Sequence, residues 1–82
     1  MGYHKATIKR GVLGDSSKIQ EELDELIDAE QQEAKILALC ELSDLIGAID
    51  AYLVKHHPST SLSDLYTMSK LTKSAFQDGT RG

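Results

Sequence analysis

The 82-residue sequence predicts an all-α fold, a small antiparallel bundle of about three helices. Apolar residues recur at helical spacing, three or four positions apart, in two long segments and again in the C-terminal part. The only proline, Pro58, lies between the last two of these segments and should end a helix there. Helices joined by connections this short are typical of bundles.

The first helix is expected from about Ser17 to Glu30. Ser17 and Gln20 have the spacing of a capping box, and Glu21 and Glu22 follow in the first turn, where the helix dipole favours negative charge. The next segment, residues 30–35, contains neither glycine nor proline. It is either a tight turn between helices or a continuation of the helix.

A second helix is expected over residues 34–56, with Lys55 and His56 in the last turn, where positive charge suits the dipole. A third should begin after Ser61, which stands in capping-box spacing with Asp64, and Gly79 is a suitable residue to follow its end.

The length allows one domain, residues 1–82, in which residues 1–16 form a basic N-terminal arm. A domain this short buries only about 60% of its unfolded surface, so its own core is thin. Cys40 is the only cysteine, which excludes an internal disulfide and leaves a metal ion or a partner subunit as the source of further stability. The arm could bind anionic oxygens or be a solvated tail.

Charge and hydropathy exclude several classes of function. The net charge of −4 argues against a nucleic acid polymer as the main partner, because phosphate contacts require clustered Lys and Arg. No apolar run approaches 18 residues, so no membrane span is expected. The sequence has neither the apolar stretch of a signal peptide nor any Asn for N-glycosylation, and a reducing, cytoplasmic setting is the simplest expectation.

Two pairs of acidic residues stand three positions apart on the first two helices. Glu22 and Glu25 should project together, as should Glu41 and Asp44, and antiparallel helices could bring the pairs face to face. Asp28 is expected to point away from the apolar stripe of its helix. The second helix is apolar or small on most sides, so carboxylates on it are costly to bury unless they are paired or bind a metal. A divalent cation such as Mg²⁺ suits four such oxygens, although an ordinary solvated helix surface remains the alternative.

The same acids form a recognisable pattern. Residues 21–25 read E-E-L-D-E and have the form E-E-x-x-E, while residues 41–44 read E-L-S-D and have the form E-x-x-D. Together they resemble the signature of the all-alpha nucleoside triphosphate pyrophosphatases, and most closely that of the small MazG-like members. The resemblance covers roughly residues 9–81, although the Asn that some relatives carry after the second motif is missing.

The resemblance implies a hydrolase that converts a nucleoside or deoxynucleoside triphosphate to the monophosphate and pyrophosphate. It implies that Glu22, Glu25, Glu41 and Asp44 bind Mg²⁺, with Mn²⁺ as a possible substitute, and that Glu21 orients or deprotonates water or is simply exposed. It also implies a homodimer or a dimer of dimers. Candidates for binding the phosphate oxygens are the basic residues Lys9, Arg10, Lys18, Lys70, Lys73 and Arg81.

Two alternatives stay open. One remains within the same fold, a phosphoribosyl-ATP pyrophosphatase-like enzyme. The other is a non-enzymatic acidic helical module that serves oligomerisation or binds a basic partner. The acidic pairs distinguish these classes, since an enzyme requires them to converge and a module does not.

Overall fold

A computed structural model describes residues 4–77 of the chain, with side chains up to Lys73. That range contains α1 (Ser16–Gln31), α2 (Lys35–His56) and α3 (Leu62–Gln77), and no strand. The predicted all-α class is confirmed, and the first two helices start and end within one residue of the expected positions. No helix in this part of the chain is both long and apolar enough to cross a bilayer. Gly79 lies outside the described residues.

The start of α1 differs from the prediction. The helix begins at Ser16 after Asp15, and no side chain caps it, so the expected capping box of Ser17 and Gln20 is wrong. The Ser17 hydroxyl instead accepts a hydrogen bond from the backbone N–H of Val12, 3.0 Å away. The first turn of α1 also contains no acidic residue, whereas Glu21 and Glu22 were expected in it. Ser17 therefore ties the arm to the helix rather than closing the helix end.

The connection between α1 and α2 is a tight turn. The backbone N–H of Ala34 donates to the carbonyl of Ala29, and that of Glu33 donates to the carbonyl of Glu30, both at 3.0 Å. Glu33 has a φ of 57°. This is the Schellman pattern, whose left-handed residue is usually glycine. Because the segment contains no glycine to mark the turn, the pattern of residues alone left it open.

The start of α3 agrees with its prediction. The Ser61 hydroxyl accepts from the backbone N–H of Asp64 at 3.1 Å, and the Asp64 carboxylate accepts from the backbone N–H of Ser61 at 2.9 Å. These reciprocal bonds satisfy two backbone donors that the helix itself cannot pair. The expected capping box is confirmed.

The three helices pack in sequence. α1 packs on α2 and α2 contacts α3, while α1 and α3 make no contact within the described range. The buried apolar residues of that range are Ala29, Ala48 and Leu53, and no large side chain in it is fully buried. The core therefore follows the α1–α2 boundary and is as thin as the length predicted.

The N-terminal arm lies along α1. The backbone N–H groups of Lys5 and Ala6 donate to the carboxylate of Asp28, and the N–H of Gly11 donates to Glu21. Gly11 is needed at this crossing, because a Cβ there would lie 2.1 Å from the carbonyl oxygen of Ser17. The described part of the arm is thus held by α1, although most of its side chains remain exposed.

Candidate metal centre

Four of the predicted site residues come together across the α1–α2 boundary. Glu22, Glu25, Glu41 and Asp44 each offer one carboxylate oxygen, and these four oxygens lie within 4.8 Å of one another. The three-residue spacing on each helix aligns each pair, and the packing of α1 on α2 brings the two pairs together. This is the convergence that the spacing of the acids predicts.

The cluster is unusually buried for a group of like charges. Glu22 and Glu41 are only 5% and 4% exposed, Glu25 is partly buried and Asp44 is exposed. One oxygen of Glu22 lies 3.3 Å from the Lys18 ammonium, whereas its Oε2 is buried with no hydrogen-bond partner. A buried carboxylate oxygen without a partner costs free energy, and native proteins rarely leave one unless an ion or water binds there.

Crowding of the carboxylates changes their proton affinity. Burial, together with repulsion from Glu25, raises the pKa of Glu22 above its ordinary value despite the nearby Lys18. Burial and the charge of Glu41 likewise raise the pKa of Glu25. The ionised forms are therefore unfavourable in this arrangement, and a cation placed among them would stabilise them.

Glu21 lies beside the cluster and is buried, so the alternative that it is simply exposed is wrong. Its Oε1 accepts from the backbone N–H of Gly11 at 2.8 Å, and its Oε2 accepts from the Lys18 ammonium at 3.1 Å. The Gly11 bond, with the charge of Lys18, lowers the pKa of Glu21 in spite of burial. One oxygen of Glu21 thus binds the arm, and the other binds the Lys18 ammonium.

A residue that sequence reasoning did not assign to the site, His4, reaches into the cluster from the arm. Its Nε2 lies 2.6 Å from Glu41 Oε2 and 3.9 Å from Glu25 Oε2, and its Nδ1 lies 2.9 Å from Asp28 Oδ2. Burial opposes a charge on the ring, but the hydrogen bonds to Asp28 and Glu41 outweigh it and raise the pKa of His4. The only sequence signal was a histidine in an arm without acids, ahead of an acidic body.

Asp28 was predicted to point away from the apolar stripe of α1, and it is nevertheless buried. It is 5% exposed, because the arm covers it. Its carboxylate accepts from His4, from the N–H groups of Lys5 and Ala6, and from the Gln32 amide at 2.7 Å. Burial works against ionisation, yet these bonds leave the pKa of Asp28 lowered. Helical periodicity could not reveal it, since its partners come from outside the helix.

A cleft of about 350 Å³ opens over three members of the cluster, whereas the fourth, Glu22, lines a separate pocket with Lys18. The volume of the cleft is at the lower end of the range for small-molecule sites, about 300–1,000 Å³. The lining consists of His4, Ala6, Ile8, Arg10, Glu21, Glu25, Glu41 and Asp44. Because most of these side chains are charged or polar, the cleft suits a charged ligand better than an apolar one.

The predicted phosphate-binding residues are distributed unevenly. Arg10 lines the cleft, and Lys18 lies beside it in ion pairs with Glu21 and Glu22. Lys9 is exposed on the arm and does not line the cleft. On α3, the Lys70 ammonium lies 4.5 Å from the centre of the Tyr66 ring, and Lys73 is exposed. Arg81 lies outside the described residues.

Comparison with known proteins gives no match: no family model, no curated protein and no solved structure matches this chain. A function for the chain must therefore be inferred from its own residues and from the geometry of the cluster and the cleft.

Proposed function

We propose that the chain is a Mg²⁺-dependent hydrolase that converts a nucleoside or deoxynucleoside triphosphate to the monophosphate and pyrophosphate. The observation that supports it best is the set of four carboxylate oxygens within 4.8 Å of one another, one of them from Glu22, whose Oε2 is buried without a hydrogen-bond partner. Mg²⁺ prefers oxygen ligands, takes one or two carboxylates together with substrate phosphates, and retains several waters.

The residues fit such an ion. Glu22, Glu25, Glu41 and Asp44 would hold it, and Mn²⁺, which accepts similar ligands, could replace it. When bound, the ion neutralises phosphate charge and lowers the pKa of a coordinated water. Burial of Glu22 and Glu41 keeps water away from their oxygens, which strengthens their attraction to a cation.

Glu21 is proposed to orient the attacking water rather than deprotonate it. Its lowered pKa makes it a weak base, because Gly11 and Lys18 stabilise the ionised form. It lines the same cleft as Glu25 and Glu41, so a water there could be oriented by a hydrogen bond to its carboxylate.

Arg10 and Lys18 are the basic residues best located to bind phosphate oxygens. Arg10 lines the cleft, and its guanidinium can bind two oxygens of one phosphate at once. Lys18 already neutralises Glu21 and Glu22, so it would contribute as a point charge at the edge of the site. Lys9, Lys70 and Lys73 have no comparable contact with the cleft.

Self-association completes the proposal, as a homodimer or a dimer of dimers built on an antiparallel α1–α2 pair. A standard interface removes about 800 Å² from each partner. The surface offered for it, termed the apolar face below, comprises the exposed residues Leu23, Ile27, Ile36, Leu39, Leu42 and Ile46.

The apolar face also favours the second candidate, a non-enzymatic module for oligomerisation or for binding a basic partner. Large exposed apolar surfaces mark interaction sites whether or not a protein is an enzyme. The two candidates differ at the carboxylates: a module has no need for an unpartnered buried oxygen such as Glu22 Oε2. A phosphoribosyl-ATP pyrophosphatase-like enzyme would use the same centre and differ only in its substrate.

A panel of nucleoside triphosphates, deoxynucleoside triphosphates and phosphoribosyl-ATP, assayed for pyrophosphate release with and without Mg²⁺, tests the proposal. We expect Mg²⁺-dependent turnover of at least one of them. Glu41→Gln keeps the shape of a buried ligand but removes its charge, and should reduce turnover by more than about 100-fold, since even outer partners of metal ligands contribute about 10–100-fold.

The matched control is Asp50→Asn, which removes an exposed acid from the same helix. It should leave turnover unchanged. Equal activity of the wild type and Glu41→Gln, or no pyrophosphate from any substrate, would reject the enzymatic proposal and favour the module.

A further inference from the structure

The His4 ring joins two sets of carboxylates. On one side Nε2 faces Glu41 and Glu25, and on the other Nδ1 contacts Asp28. His4 Nε2 and one oxygen each from Glu25 and Glu41 form a set of three donor atoms within 4.8 Å of one another. This set shares two members with the carboxylate cluster, but it adds a nitrogen donor that the cluster lacks.

Asp28 holds the ring in the orientation that a metal ligand requires. Histidines that bind metals through one ring nitrogen almost always contact a carboxylate or carbonyl through the other, which fixes the tautomer and the direction of the ring. The contact between Nδ1 and Asp28 Oδ2 is 2.9 Å, and Asp28 is itself fixed by Gln32 and by two backbone N–H groups of the arm. Nε2 is thereby directed at Glu25 and Glu41, and an ion bound there would replace the proton between Nε2 and Glu41 Oε2, which lie 2.6 Å apart.

We propose that His4, Glu25 and Glu41 form a mixed nitrogen–oxygen position for a divalent transition ion, with Asp28 as the positioning residue for His4. The inference rests on the proposed function, since it shares two ligands with the carboxylate centre. Imidazole is a poor ligand for Mg²⁺, which prefers oxygen, and a better one for first-row transition ions. A transition ion would therefore bind at this position more tightly than Mg²⁺, which the four carboxylates of the proposed centre would hold, and the arm becomes part of the site.

The test uses Mn²⁺ as the probe ion and the full-length chain, without substrate. Electron spin resonance of Mn²⁺ gives both the affinity and, from its electron spin echo modulation, any directly bound nitrogen. We expect nitrogen modulation in the wild type. In His4→Ala it should disappear, with Mn²⁺ affinity falling by about 10–100-fold, while Mg²⁺ affinity, measured by competition, changes by less than about threefold.

Two further variants separate ligand binding from a general effect on folding. His57→Ala removes an exposed histidine outside the cluster and should behave as the wild type. Asp28→Asn keeps the imidazole but weakens its orientation, so nitrogen modulation should persist with a lower Mn²⁺ affinity. The spectrum of the wild type decides the matter even if His4→Ala folds poorly.

Failure of this inference and failure of the proposed function give different results. Bound Mn²⁺ without nitrogen modulation in the wild type, or tighter Mn²⁺ binding by His4→Ala, would overturn the role of His4 and leave the carboxylate centre intact. The second result would mean that His4 competes with the ion for Glu41. Absence of any divalent-ion binding by the wild type would overturn both proposals together.

Discussion

The region of the carboxylate cluster and the apolar face show the reverse of the burial pattern of an ordinary small domain. At the centre, Glu21, Glu22, Asp28 and Glu41 are among the most buried residues of the described range, while on the apolar face Leu39 is 65% exposed. Most globular proteins bury leucine and expose glutamate. The contrast shows that the packing of α1 on α2 buries carboxylates while it leaves large apolar side chains exposed.

The largest effect is expected for a substitution that disrupts the apolar face. Leu39→Glu places a charge in the centre of the proposed interface, where desolvation without a partner is costly, and should weaken self-association by more than about 100-fold. Sedimentation velocity over a range of concentrations measures it. Ser63→Glu, which adds the same charge at an exposed position of α3, is the control and should associate as the wild type does. An unchanged sedimentation profile for Leu39→Glu would show that this face is not the interface.

The next prediction concerns the centre. An ion that binds only the folded chain stabilises it by about 2.7 kcal/mol at a concentration 100 times its dissociation constant. For a domain of this size that corresponds to a rise in Tm of about 10–20 °C. Scanning calorimetry with Mg²⁺ and with a chelator measures the shift at one protein concentration. The Tm of Glu41→Gln should rise little when Mg²⁺ is added. An equal rise in Tm for Glu41→Gln and the wild type would show that the ion binds elsewhere.

The pH dependence of the metal-free protein sharpens the contrast further. Burial and neighbouring acids raise the pKa of Glu22 and Glu25 above 4.5. Burial opposes the charge of His4, but bonds to Asp28 and Glu41 outweigh it and raise its pKa above 6.5. In all three cases folding favours the protonated form, so their stabilisation is present at low pH and is lost as pH rises through the raised values.

Asp28 and Glu21 have the opposite effect on the pH dependence of stability. Their pKa values are lowered from 3.8 and 4.5, so their stabilisation is lost only as pH falls below those ordinary values. Urea unfolding in the presence of a chelator should therefore show greater stability near pH 6 than near pH 8, and Mg²⁺ should reduce that difference. Greater stability at the higher pH without metal would contradict the raised pKa values of Glu22, Glu25 and His4.

The smallest expected effect lies in the turn that connects the two helices of the centre. Glu33 occupies a left-handed conformation that costs a residue with a side chain about 1–2 kcal/mol and glycine almost nothing. Relief of this strain in Glu33→Gly should stabilise the folded chain by about 1 kcal/mol. The greater freedom of glycine in the unfolded state should offset part of that gain. Glu30→Gly, within α1, should destabilise it by about 1 kcal/mol. Urea unfolding of both variants measures the difference.

Much of the fold and part of the site could be predicted from periodicity alone. Helical spacing located α1 and α2 to within a residue, and Ser61 with Asp64 marked the start of α3, because these signals depend on neighbours in sequence. The same logic aligned Glu22 with Glu25 and Glu41 with Asp44. Where a local rule competed with a tertiary contact it failed, as at Ser17, whose hydroxyl binds the arm instead of capping its helix.

The sequence by itself determined three helices and the pairing of acids along each of the first two, because both follow from the 3.6-residue repeat of a single helix. Only the tertiary structure decided that the arm returns along α1, that Asp28 is buried beneath it and that His4 meets Glu41. Those contacts join residues 22–37 positions apart. No local pattern encodes them, since they form only after α1 packs on α2 and leaves a charged groove that the arm can cover.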